Sequence, residues 1–126
     1  MAEKRTVYKI QEIGDIGEAH ISVEVFSMIV ALAATEVEGV ASLAGNITNE
    51  LVSRLGMKGL QKGVKVEIRD HVVKVDLELN LKYDQNILET SKAVQERVKN
   101  AVENMTGFSV SEVNVRVANI NTDSEA

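Results

Sequence analysis

The chain has 126 residues and a net charge of −5; 44% of its residues are apolar and 26% charged, as in an ordinary globular domain with one core. It has no cysteine, which excludes disulfides, thiolate metal sites and cysteine nucleophiles. Its acidic balance makes nucleic acid or an anionic membrane a poor global partner, and with aromatics at 3% the core must come from Val, Ile, Leu, Ala and Met.

Residues 1–12 are mixed and charged and read as a flexible arm with a strand-like stretch at Val7–Ile10. Met1-Ala2-Glu3-Lys4-Arg5 leads into no apolar run, and no stretch approaches the roughly 18 apolar residues of a membrane span. The expectation is a cytoplasmic protein. Ile13–Ile21 reads as a short strand interrupted by Gly14 and Gly17. Ser22 then has the form of a helix N-cap, with Glu24 where the helix dipole favours an anion. Val23, Phe26, Ile29, Val30, Ala33, Ala34 and Val37 follow the helical period as far as a stop near Gly39.

Between 40 and 63, Ile47, Leu51 and Leu55 recur every fourth residue. That spacing predicts a short amphipathic helix from Asn46 or Thr48, broken by Gly56, Gly59 and Gly63. Val64, Val66 and Ile68 alternate as a strand, and Asp70-His71 turns the chain into a long strand at 72–83. Its apolar face holds Val73, Val75, Leu77, Leu79, Leu81 and Tyr83; its polar face holds Lys74, Asp76, Glu78, Asn80 and Lys82. His is not the expected partner of Asp in a type I′ turn.

Residues 86–105 read as a helix facing inward with Ile87, Leu88, Ser91, Val94, Val98, Ala101, Val102 and Met105. Gly107 is placed to end it in a left-handed conformation, with Phe108 closing the cap. Val113, Val115 and Val117 alternate as a last strand, and 121–126 is a polar tail. Every strand is amphipathic, so one sheet face must be covered by both long helices. The expected fold is α+β: a single domain over 13–120, a two-layer α/β sandwich with a mixed sheet. A ferredoxin-like split βαβ is the first arrangement and a KH-like variant the second.

The chemistry is sparse. His20 and His71 have no second ligand or nucleophile at useful spacing, and ordinary strand-end and turn roles explain them. Asp76 and Glu78 share a polar face with lysines and read as solvated. No catalytic residue, cofactor or metal is expected. Gly56-Met57-Lys58-Gly59 has the GxxG spacing of a KH backbone clamp, but little room follows it before the next strand. The exposed sheet face carries no ring on which a base could stack. One asymmetry stands out. Arg54, Lys58, Lys62 and Lys65 lie in a stretch with no acid, and all 19 acidic residues are elsewhere. These four are the candidate docking residues for an acidic partner.

With these residues in hand, the chain resembles the alkaline shock, or envelope stress response, family of Gram-positive bacteria. The carriers are Gly17-Glu18-Ala19-His20-Ile21-Ser22, Ala33-Ala34-Thr35-Glu36-Val37-Glu38-Gly39-Val40 and Lys62-Gly63-Val64-Lys65-Val66-Glu67. Val102-Glu103-Asn104-Met105-Thr106-Gly107-Phe108 and Val113-Asn114-Val115 continue the likeness. The resemblance implies a non-enzymatic cytoplasmic protein that self-associates or docks on protein partners near the envelope, themselves membrane-anchored or belonging to lipid synthesis. Two alternatives stand beside it: a regulator that binds an enzyme of fatty-acid synthesis, and an RNA-binding module using the basic glycine loop 54–65.

Overall fold

The computed structural model describes residues 22–60 and 62–121. The expected arm, the strand at Ile13–Ile21 with His20, and the tail beyond Asn121 lie outside the described residues.

Helix α1 (Val23–Glu36) opens as its sequence predicts. Ser22 stays extended and its Oγ accepts from the Val25 N–H at 3.3 Å. Phe26, Val30, Ala33 and Ala34 form its buried row, while Ile29 is only half-buried and Val23 is exposed. A short strand that periodicity does not announce follows, β1 (Val40–Leu43).

Helix α2 (Asn49–Leu60) runs straight through Gly56 and Gly59, so the expected breaks are absent. Each glycine forfeits about 1 kcal/mol of helix propensity. Full burial of Val52 and Leu60 offsets that loss. Asn49 also ties the start of α2 to the end of α1: its Nδ2 donates to Thr35 Oγ1 at 2.8 Å and to the Leu32 carbonyl at 3.3 Å.

Strands β2 (Val64–Arg69) and β3 (Val72–Lys82) form a hairpin. Asp70 and His71 both have positive φ, 49° and 65°, the pattern of a type I′ turn. Helix α3 (Ile87–Thr106) starts at Asn86, whose Oδ1 accepts from the Glu89 N–H at 2.9 Å. Gly107 ends it at φ 80°, donating to the Glu103 carbonyl. Its buried row is Thr90, Val94, Val98 and Val102, spaced by four. Ile87, Leu88 and Met105, expected on that face, flank it instead and are exposed. Tyr83 is likewise exposed, just past the end of β3.

Strand β4 (Ser109–Asn121) pairs with β3 in parallel along the whole of Val72–Lys82. The β3–α3–β4 unit is thus a crossover whose two strands are direct neighbours. Phe108, at its start, lies against Phe26 with ring centroids 5.1 Å apart and against His71 at 4.7 Å. That packing, with the Ser109 N–H donating to the His71 carbonyl, explains a histidine in a turn that prefers glycine.

A strand has two edges, and β4 takes one edge of β3 from end to end. The antiparallel partners therefore follow one another along the other edge: β2 on Val72–Leu77, then β1 on Leu79–Leu81. The result is a mixed, four-stranded sheet in an α+β fold, as expected. Val73, Val75, Leu77, Leu79 and Leu81 form the buried centre under α1 and α3.

Candidate docking surfaces

The open sheet face is a checkerboard of charge. Register sets Lys65 beside Asp76 and Asp76 beside Asn114, whose Nδ2 donates to Asp76 at 2.8 Å. One step away, Glu67, Lys74 and Glu112 lie abreast, with Lys74 and Glu112 4.0 Å apart. Glu78 stands opposite Arg116. Cross-strand neighbours of opposite sign cancel one another's field, so this face is a poor anion platform. Asn80, expected among the solvated residues, is buried; its Nδ2 donates to Ser42 Oγ at 2.9 Å and to the Leu43 carbonyl at 3.3 Å.

The four candidate docking residues do not form one loop. Arg54 is exposed on α2, and Lys58 belongs to the same helix. Lys62 and Lys65 are exposed at the entry to β2. They line a shallow groove of about 320 Å³ with Asp76, Glu78, Asn114 and Arg116. Arg116 is a cation that sequence reasoning left out of the cluster. Only the parallel pairing of β4 brings it there, and no local spacing reports that pairing.

A second surface lies in the helix layer. Val25, Met28, Ile29 and Leu32 of α1 and Ala101 and Met105 of α3 line a groove of about 510 Å³, with Glu24 and Glu36 at its rim. Val25 is 48% exposed and Met105 70%. Glu36 Oε1 meets Arg97 Nη2 at 2.6 Å across the two helices. The signal for this surface was present in Val23–Glu36, whose apolar residues go most of the way round the helix. A helix of that kind has more apolar surface than one core face can take.

Among the described residues, no group of three or more His, Asp or Glu side chains converges as a metal site. Nor is any helix among them long and apolar enough to cross a membrane. His71 is exposed against Phe108, and His20 lies outside the described residues.

The geometry defines a two-layer α+β domain with a groove of mixed charge at the entry to β2 and an apolar groove in the helix layer. The chain belongs to the alkaline shock protein family, described by its cell envelope-related function, whose model matches residues 11–122. It is 33% identical over 111 residues to the protein YqhY of Bacillus subtilis, covering 88% of this chain and 82% of that one. It is 31% identical over 100 residues to a Streptococcus pyogenes protein named stress response regulator gls24 homolog. That match covers 79% of this chain and 56% of the relative. Among solved structures, a MamM-CTD variant superposes with a TM-score of 0.50 at 12% identity, over 78% of this chain and 98% of that one, a likeness of fold alone.

Proposed function

We propose that the protein is a non-catalytic interaction protein of the cell-envelope stress class. It works in the cytoplasm, on the inner side of the envelope, by associating with itself and with a protein partner. The observation that carries this reading is the exposure of Arg54, Lys62 and Lys65 in an acid-free stretch of a chain whose net charge is −5. Exposed cations in an acid-free stretch of an acidic chain favour an acidic protein surface over a basic one. Nucleic acid fits less well, because the supposed glycine loop is helical from 54 to 60 and Gly56 and Gly59 lie inside α2.

The test replaces Arg54, Lys62 and Lys65 with Glu and compares cross-linked capture from native cells at low and high salt. Exposed charges shift stability by about 0.5 kcal/mol or less, so the variant stays folded. Wild-type capture should weaken with salt, because charges are screened beyond roughly 10 Å at 0.1 M. The variant should lose the same partner. Equal capture by the folded variant, or recovery of RNA in place of protein, overturns the reading.

A further inference from the structure

Among the described residues, β4 pairs with β3 along one side and with no strand along the other. Register fixes where its backbone groups point. Glu78 turns both its N–H and its carbonyl toward the β2 and β1 side, so the even-numbered residues of β3 face that way and the odd-numbered ones face β4. Parallel bonds are slanted, so the β4 residues that bond to β3 are those abreast of Lys74, Asp76 and Glu78: Glu112, Asn114 and Arg116. Val113, Val115 and Val117 therefore turn their backbone groups outward. Two side chains of α3 meet this edge. Gln95 Nε2 donates to the Val113 carbonyl at 2.9 Å, and Glu103 Oε2 accepts from the Val110 N–H at 2.9 Å. Glu103 closes the start of the edge. The run from Glu112 to Val117 lies between the bulges at Ser111 and Ala118 and is regular.

A regular, unpaired edge is a template for another strand, and its side chains say which one. Set antiparallel to its own copy with Asn114 opposite Asn114, the strand brings Glu112 to Arg116 at both ends of the seam. Val113 and Val115, whose backbone groups point outward, become the residues that exchange both bonds. A slide of two residues sets Glu112 against Asn114 or Ala118 instead, and a slide of one sets the polar face against the apolar one. Across the seam the sign alternates without a break: Glu67, Lys74 and Glu112 of one copy, then Arg116 and Glu78 of the other. We propose that β4 pairs with β4 of a second copy, antiparallel about a two-fold axis at Asn114, so that two sheets become one. The proposal rests on the self-association in the reading above and names its surface. Half-buried Val115 then packs beside the buried Val113 of the other copy. β4 has 13 residues against 6 for β2 at the other edge, so it offers the longer ladder. Gln95 competes for the Val113 carbonyl and the charges are exposed, so the dimer is weak and forms with concentration.

The full chain tests this by light scattering after size exclusion over a hundredfold concentration range. The mass should rise from 13.8 kDa toward twice that value. Glu112→Arg and Arg116→Glu should each weaken the dimer about tenfold, because each sets like charges opposite at both ends of the seam. Mixed in equal amounts, the two variants should pair with each other and recover the wild-type mass, since every charge then meets its opposite. A folding defect does not recover on mixing. Gln95→Ala frees the Val113 carbonyl and should move dimerisation to lower concentration. Because the chain has no cysteine, single cysteines locate the contact. Asn114→Cys should form a disulfide with its own copy on mild oxidation, the facing Cα atoms of such a pair being about 4.5 Å apart. Glu67→Cys, on β2, should not. A mass fixed at 13.8 kDa at every concentration overturns the self-association itself. A dimer that tolerates both charge reversals, that fails to recover on mixing, or that links through Glu67→Cys and not Asn114→Cys keeps the self-association and overturns this surface.

Discussion

Glu78 donates its N–H to the Gly63 carbonyl at 2.9 Å, while its own carbonyl accepts the Ala44 N–H at 2.9 Å. At this one residue, β3 passes from pairing with β2 to pairing with β1. Gly63 is where the two short strands meet end to end. A Cβ there would stand 3.0 Å from Leu43 Cβ, 3.1 Å from the Ala44 nitrogen and 3.2 Å from the Glu78 oxygen.

Two of those three neighbours are backbone atoms, which cannot swing away. Gly63→Ala should therefore cost about 1–3 kcal/mol, as overpacking does. The midpoint of urea unfolding should fall with little change in slope. A variant as stable as wild type would mean that the junction is looser than these distances describe.

The amide of Asn80 is buried where β1 joins β3, and Ser42 Oγ is its side-chain partner. Asn80→Ala should cost about 1–3 kcal/mol, because it leaves the buried hydroxyl without its donor. Ser42→Ala should cost a similar amount. The double substitution should cost clearly less than the two together, since neither partner is then left unmet. Additive losses in a double-mutant cycle would show that the pair is not coupled.

The strands at 64–69 and 72–82 and the helices at 23–36 and 87–106 were legible because period and caps agreed: Ser22 and Gly107 stand where the pattern starts or stops. Strand β1 was not. Its four residues, Val40-Ala41-Ser42-Leu43, are too few to show alternation, and its polar Ser42 is buried because Asn80 waits opposite. The glycines of α2 misled because propensity is a local preference and burial of Leu60 a tertiary one. The β4 register shifts after Val110 and again after Val117, placing an extra residue at Ser111 and at Ala118 that strict alternation cannot foresee. Of the candidate site, the exposure of Arg54, Lys62 and Lys65 was legible. The meeting of Lys62 and Lys65 with Arg116 depended on topology and was not.

Asn86 offers a cleaner local test. Its side chain meets one otherwise orphaned N–H at the exposed start of α3, and little else depends on it. Asn86→Ala should cost about 0.5–2 kcal/mol and Asn86→Gly only a few tenths. Thermal melts that rank the two the other way would deny the cap its role.

Phe26 is the largest fully buried side chain among the described residues of this aromatic-poor core. It is fully buried, it is the only aromatic of α1, and its ring meets Phe108 at 58°. Through Phe108 and then His71 it joins α1, the start of β4 and the β2–β3 turn. Phe26→Ala should cost about 3–5 kcal/mol, a large part of the roughly 5–15 kcal/mol that holds a domain of this size together. Phe26→Leu keeps most of the volume and should cost less. If the His71–Phe108 contact depends on Phe26, His71→Ala should matter less in the Phe26→Leu background than in wild type. Equal losses in both backgrounds, read from urea midpoints, would separate the turn from the core and leave Phe26 to act on α1 alone.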